Sequence, residues 1–275
     1  MQVDDFERLK IGLEHGGRVL TLEFDHGKVN EMGSVELREL ELLCTRVLDS
    51  DVRAIVSTSR RKSGSGKSIF IAGANVTERA DWDDDRVKAH VRWQRDTLAA
   101  VRRLPAFHIC VVDGLALGWG TEFLLTADYV ITGPEARMSL PETGLGILPG
   151  AGGTSELWAA VGPGHALRLG MTGEQIAADE ALRIGLAHEA CASLDAGLAR
   201  ASSLARLAAR KSPTAIAQFK QGVLDAVGAA PSARREQEAR AYEACVDCGD
   251  AAIGRAHFAE IRAGGDVPWN PRSRG

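Results

Sequence analysis

Three segments constrain the fold more than any other feature, because each runs a short apolar stretch directly into a glycine-bearing turn. They are Phe70-Ile-Ala-Gly-Ala-Asn-Val76, Gly114-Leu-Ala-Leu-Gly-Trp-Gly-Thr-Glu122, and Pro141-Glu-Thr-Gly-Leu-Gly-Ile-Leu-Pro-Gly-Ala-Gly-Gly-Thr154. Each reads as a strand end beside a turn that needs small residues, where a ligand can approach backbone N–H groups closely. The second segment also opens a helix, so its free amides and dipole favour a developing negative charge.

Around these segments the chain alternates strands and helices, as α/β folds do. Arg18–Asp25 alternates apolar and polar residues at the period of a half-buried strand. Lys28–Gly33 reads as a turn. A helix follows with Ser34 as its expected N-cap, and Leu37, Leu40, Cys44, Val47 and Leu48 on one face. Val52–Thr58, Ser68–Ile71, His108–Val112, Tyr129–Thr132 and Ala136–Leu140 read as further strands. The acidic run Asp81–Asp85 starts a long amphipathic helix, Val87–Leu104, that Pro105 ends. Gly118–Ala127 and Gly152–Val161 read as helices after glycine turns. From about Gly164 helices dominate to about Arg262, and the Gly/Pro/Arg tail after Gly264 is expected to be loose.

Composition removes other classes. A net charge of −4 opposes a nucleic-acid protein, which usually shows a strongly basic face. No apolar run approaches the ~20 residues of a membrane span. Met1–Lys10 is polar and acidic rather than a secretory or transit leader, and Ser273-Arg-Gly275 is no recognised address, so a cytoplasmic protein is expected. Five scattered cysteines suit reduced thiols. Cys245-Val-Asp-Cys248 has redox or zinc spacing, but no second pair or nearby histidine completes a tetrahedral site, so no metal is expected. Gly64-Ser-Gly-Lys-Ser68 suggests a phosphate loop, yet Arg61 stands where the pattern needs glycine.

In this order the glycine segments resemble the signature of the crotonase superfamily, the enoyl-CoA hydratase/isomerase family. The likeness extends from the strand at Arg18 to the helix ending near Arg262 and is closest over Ala127–Leu186. A lone Gly-x-Gly is weak; a Pro-Glu-x-x-x-Gly-x-x-Pro-Gly-x-Gly-Gly-Thr string downstream of Gly-x-Gly-x-Glu is specific. The resemblance implies an α/β spiral of strand–strand–helix repeats in residues 1–195 with the active site. It also implies a helical C-terminal oligomerisation region in 196–275, assembling as a homotrimer or dimer of trimers.

It implies roles as well. The backbone N–H groups of Ala74 and Trp119 match the oxyanion hole, and Glu122 and Glu142 match the two glutamates of the true hydratases. Ala72, Gly73, Gly118 and Gly150 frame the substrate. Lys67, with Arg61 and Lys62, could meet CoA phosphates on a loop leading into the oxyanion segment. Adding water to an α,β-unsaturated thioester requires deprotonating water near C3 and protonating C2, hence two carboxylates: Glu122 for the water and Glu142 for the C2 proton. The partner is an acyl-CoA, and no cofactor is implied beyond the CoA carried by the substrate.

Four positions depart from the pattern: Trp119 for glycine, Asn75 for aspartate, Phe107 for proline, and Ile261 for a CoA-contacting lysine. The residues leave open double-bond isomerisation, C–C hydrolysis of a cyclic β-keto acyl-CoA, and a non-catalytic binding protein. Retention of both glutamates favours hydration.

Overall fold

The computed structural model describes residues 5–272. The expected polar N-terminus falls partly outside them, and the final Ser-Arg-Gly wholly. In chain order the strands are β1 (Leu9–Glu14), β2 (Val19–Phe24), β3 (Ala54–Thr58), β4 (Ile69–Ile71), β5 (Phe107–Val112), β6 (Leu115–Leu117), β7 (Tyr129–Thr132), β8 (Arg137–Ser139), β9 (Ile176–Ala177) and β10 (Glu189–Ala190). The helices are α1 (Ser34–Leu48), α2 (Asp84–Arg102), α3 (Trp119–Leu124), α4 (Leu157–Thr172), α5 (Ala178–Ile184), α6 (Leu194–Ala209), α7 (Pro213–Ala226), α8 (Pro231–Asp247), α9 (Asp250–Ala256) and α10 (Phe258–Arg262).

The strands divide between two sheets, ordered β1-β2-β3-β5-β7-β10 and β4-β6-β8-β9. Each repeat gives a strand to the first sheet, a short one to the second, and then a helix: β3-β4-α2, β5-β6-α3 and β7-β8-α4. The repeated step keeps β2, β3, β5 and β7 parallel, with Thr21 beside Val56 and Val111 beside Ile131. Both faces of these strands are covered, so β3 reads as an uninterrupted buried run. Between the sheets sit Phe24, Phe70 and Phe123, with Phe24 edge-on to Phe123 at 5.0 Å and to Phe70 at 5.7 Å. Such pairs contribute about 0.5–1.5 kcal/mol beyond their buried area.

Polar groups lock the connections. Asn30 holds a left-handed conformation (φ 56) in the turn before α1, and its Nδ2 donates to the Phe24 and Phe70 carbonyls and to Ser59 Oγ. Three buried acceptors offset the strain of that backbone. At the far side, buried Lys220 of α7 donates to Asp128 at 2.8 Å and to the Ala106 carbonyl, tying the helical region to the spiral.

The structure corrects parts of the sequence reading. Gly33, not Ser34, caps α1; the Gly33 amide is met by Glu36 Oε2 at 2.8 Å and the Ser34 amide by Glu78 Oε2 at 2.9 Å. Acidic side chains reaching back thus replace the serine hydroxyl. Leu48 is exposed, because it lies one residue beyond the Leu37–Leu40–Cys44–Val47 stripe. The helix expected from Gly152 begins only at Leu157, since the preceding backbone is held in turns by another partner described below. Strands β1, β6, β9 and β10 were not anticipated, although Leu9, Ile11 and Leu13 alternate along β1. The tail is not loose where it is described: Val267 is buried, Trp269 Nε1 donates to the Arg210 carbonyl, and Arg272 donates to the carbonyls of Val47, Ser50 and Pro105. The Ser50 and Pro105 carbonyls take their donor from Arg272, while the Val47 carbonyl also accepts from the Ser50 amide and hydroxyl.

Candidate active site

Parallel pairing of β4 with β6 and of β6 with β8 brings three strand ends together. From them emerge Ala72–Asn75, Gly118–Glu122 and Leu140–Glu142, so two of the glycine segments and the start of the third converge.

Ala74 sits in a parallel bridge with Met32. The Met32 amide donates to the Gly73 carbonyl at 3.0 Å, and the Asn75 amide donates to the Met32 carbonyl at 2.8 Å. These bonds use the groups flanking Ala74, turning its own N–H to the side away from Met32. Trp119 opens α3, and its N–H belongs to a first turn that has no intrahelical acceptor. Asn75, standing where an ion pair was in question, instead accepts from Thr77 Oγ1 at 2.6 Å and from the Glu78 amide.

Glycine is required at two positions here. Gly118 has φ 51 and ψ −115, and a Cβ there would collide with the Glu142 carboxylate. Gly120 lies so close to β4 that a Cβ would overlap the Ile71 carbonyl. The first lets Glu142 rest on the turn; the second seats α3 against the strand that delivers Ala74.

Glu122 is 3% exposed, in the first turn of α3. Its Oε1 accepts from the amides of Ala151 and Gly153, each at 2.8 Å. This contact holds the 150–156 backbone in turns and delays the start of α4. Burial pushes the Glu122 pKa up, against the two amide bonds and Arg95, which lower it. Glu142 follows β8 in a short 3-10 turn, Pro141–Leu145. Its Oε2 is buried without a hydrogen-bond partner among the described residues. Burial, reinforced by the charge of Glu122, raises its pKa to about 7. One carboxylate is therefore pinned by two amides while the other keeps a free oxygen and titrates near neutrality.

Trp119 does not project into open space. It is 2% exposed and stacks on Phe123 with ring centroids 5.7 Å apart, which places the bulk in the core and leaves its backbone at the turn. Gly150 packs against α2: its carbonyl accepts from Arg95 Nε at 3.0 Å, and a Cβ would stand 2.7 Å from Val91 Cγ1. Ala72 and Gly73 lie at the end of β4, beside Leu117 and Gly118. Lys67 is not brought to this place. It is exposed at the opposite end of β4, in a turn closed by the Ser63 amide donating to its carbonyl.

The sequence reading missed Ala151 and Gly153 as the amides that fix Glu122, and Arg95 and Val91 as the support for Gly150. The Pro149-Gly-Ala-Gly-Gly-Thr154 string signalled an unusual backbone but not its partner. Glu122 also lines a cavity of about 430 Å³ with Leu98, Arg102, Ala151 and Trp158. Among the described residues no group of three or more His, Cys, Asp or Glu could hold a metal ion, and no helix is long and apolar enough to cross a membrane.

The model of the enoyl-CoA hydratase/isomerase family matches residues 18–269. The chain belongs to that family. It is 35% identical to the 2,3-dehydroadipyl-CoA hydratase of Escherichia coli, covering 82% of this chain and 84% of the relative. It is 32% identical to the short-chain-enoyl-CoA hydratase of Clostridium acetobutylicum, covering 77% and 79%. A crystal structure of an enoyl-CoA hydratase from Bacillus anthracis superposes with a TM-score of 0.86 at 27% identity, covering 96% of this chain and 99% of that one. The two-sheet spiral is thus the crotonase fold. Enzymes of the enoyl-CoA hydratase/isomerase family act on CoA thioesters, with the coenzyme arriving as part of the substrate.

Proposed function

We propose that the protein is an enoyl-CoA hydratase, adding water across the 2,3 double bond of an enoyl-CoA or removing it from the 3-hydroxyacyl product. The observation that carries this reading is the unequal carboxylate pair. Glu122 is fixed by the Ala151 and Gly153 amides, and Glu142 is unpaired at Oε2 with a pKa near 7. In hydration Glu122 takes a proton from water as its oxygen bonds to C3. The C2–C3 π electrons move toward the thioester carbonyl, and Glu142 gives its proton to C2 as the enolate collapses. The N–H groups of Ala74 and Trp119 hold the thioester oxygen while it carries enolate charge, a contribution typically of about 2.7–4 kcal/mol per donor. Ala72, Gly73, Gly118 and Gly150 shape the floor of the site, and Lys67, on the loop before β4, is left to the CoA phosphates rather than the acyl group. Both relatives named above are hydratases, which supports the same chemistry.

The exposed Phe219 and Tyr242 of α7 and α8, at 76% and 72%, support an oligomer assembled through the helical region, as a trimer or a pair of trimers.

Loss of the enoyl-thioester absorbance on mixing with crotonyl-CoA tests the reaction. Rapid loss that Glu122→Gln and Glu142→Gln each reduce by about 10²–10⁴ is expected. Isomerisation of a 3-enoyl-CoA without any hydration of crotonyl-CoA would instead assign double-bond migration, which needs only the mobile Glu142 proton.

A further inference from the structure

Buried polar atoms are nearly always paired, and each exception calls for a reason. Among the described residues, the buried side-chain atoms without a partner include Glu142 Oε2, an atom of the catalytic pair. A second group has no role in the chemistry above: His90 Nε2, Gln94 Nε2 and Thr97 Oγ1 on α2, with Nε and Nη2 of Arg79. His90, Gln94 and Thr97 are 6%, 4% and 2% exposed, so bulk solvent does not reach them.

Their spacing on α2, i, i+4 and i+7, places all three in one row on a single helical face, spanning about 10 Å. The row runs beside the site. Val91 and Arg95, on the adjoining face, meet Gly150, whose neighbours Ala151 and Gly153 hold Glu122. Leu98, one turn after Gln94, lines the cavity that Glu122 lines. At the other end His90 stacks edge-on between Trp82 and Trp93, and Arg79 acts electrostatically on it. Arg79 itself follows the Ala72–Asn75 segment by four residues and is only partly buried.

The chemistry of the row is one-sided. Gln94 Nε2 and both Arg79 nitrogens can only donate; Thr97 Oγ1 and His90 Nε2 can donate as well. Arg79 brings positive charge, and Glu78, the carboxylate that acts on it electrostatically, is already engaged by the Ser34 amide. A purely hydrocarbon acyl chain would leave these donors unpaired, a cost that an anionic acceptor relieves. We propose that Arg79, His90, Gln94 and Thr97 form an anion-accepting acyl subsite, and that the substrate is an enoyl-CoA whose acyl group ends in a carboxylate.

This assignment rests on the acyl-CoA reading, but binding can test it apart from turnover. Three six-carbon saturated acyl-CoA esters, ending in methyl, carboxylate or methyl ester, are titrated calorimetrically into the full chain. The carboxylate ester should bind at least about tenfold more tightly than the methyl-terminated one, as expected for recovered hydrogen bonds to a charged group. Arg79→Gln should abolish that preference and Gln94→Leu should reduce it, with thermal unfolding reporting that both variants fold. Equal or weaker binding of the carboxylate ester by the unaltered chain overturns the subsite. So does an Arg79→Gln variant that weakens all three esters alike, which would put Arg79 on the CoA moiety, and so does a preference for the neutral methyl ester. Crotonyl-CoA turnover, measured in parallel, separates the two readings. A preserved carboxylate preference without hydration overturns the reaction alone; hydration with no preference overturns the subsite alone.

Discussion

Replacing Glu142 by glutamine should stabilise the protein at alkaline pH while removing its activity, and the size of the gain follows from the site. Glu142 has an ordinary pKa of 4.5 that burial raises to about 7 in the fold. Below pH 4.5 the group is protonated both folded and unfolded, so it makes no difference to stability. As pH rises from 4.5 to about 7 the unfolded chain loses the proton while the folded one retains it, and stability is lost progressively. Above pH 7 the loss is complete. A gap of about 2.5 at 1.36 kcal/mol each comes to about 3 kcal/mol, and partial exposure of the side chain lowers this to about 2–3 kcal/mol. Glutamine has no charge to bury, so Glu142→Gln should match the parent at pH 4 and exceed it by this amount at pH 8–9. Urea unfolding of both proteins across that range, with crotonyl-CoA kinetics alongside, measures it. A stability difference that is the same at pH 4 and pH 9 would refute the claim that desolvation of this carboxylate sets its pKa.

The pH profile of kcat/KM should be bell-shaped, because the carboxylate pair must hold one proton, and its upper limb should lie near pH 7. A kcat/KM that stays flat through pH 7 would contradict the shared-proton pair. Gly118→Ala should displace Glu142 and lower kcat by about 10²-fold, and an unchanged kcat would show that the turn does not position the carboxylate. Arg272→Ala leaves the carbonyls of Ser50 and Pro105 without the donor that Arg272 supplies and should cost about 1–3 kcal/mol by denaturant unfolding. No change in the midpoint would restore the loose tail.

The candidate site was legible wherever a residue's role follows from its immediate neighbours. Gly118, Glu122 and Glu142 were marked by the likeness of their glycine-bearing strings to the family signature; taken alone, Glu122 reads as a first-turn carboxylate that the helix dipole favours. What supports these residues was not legible. Ala151 and Gly153 act through backbone amides, which every residue possesses, so nothing in their side chains marks them as the partners of Glu122. Trp119 could be read only as a departure; stacking on Phe123 settles where its ring goes. Lys67 is close in sequence to Ala74, yet β4 separates the two, so the lysine lies away from the acyl site and only the CoA end of a substrate could meet it.

By itself, then, the sequence determined the alternation of strands and helices, the family signature and the two carboxylates. These are local patterns, imposed by backbone geometry and by the chemistry the residues can perform. Tertiary structure alone decided that β3, β5 and β7 pass their successors to a second sheet, that Arg272 closes the ends of α1 and α2, and that His90, Gln94 and Thr97 lie unpaired on one buried face of α2. Those outcomes depend on which surfaces meet across long stretches of chain, and a buried polar atom declares its missing partner only once its surroundings are in place.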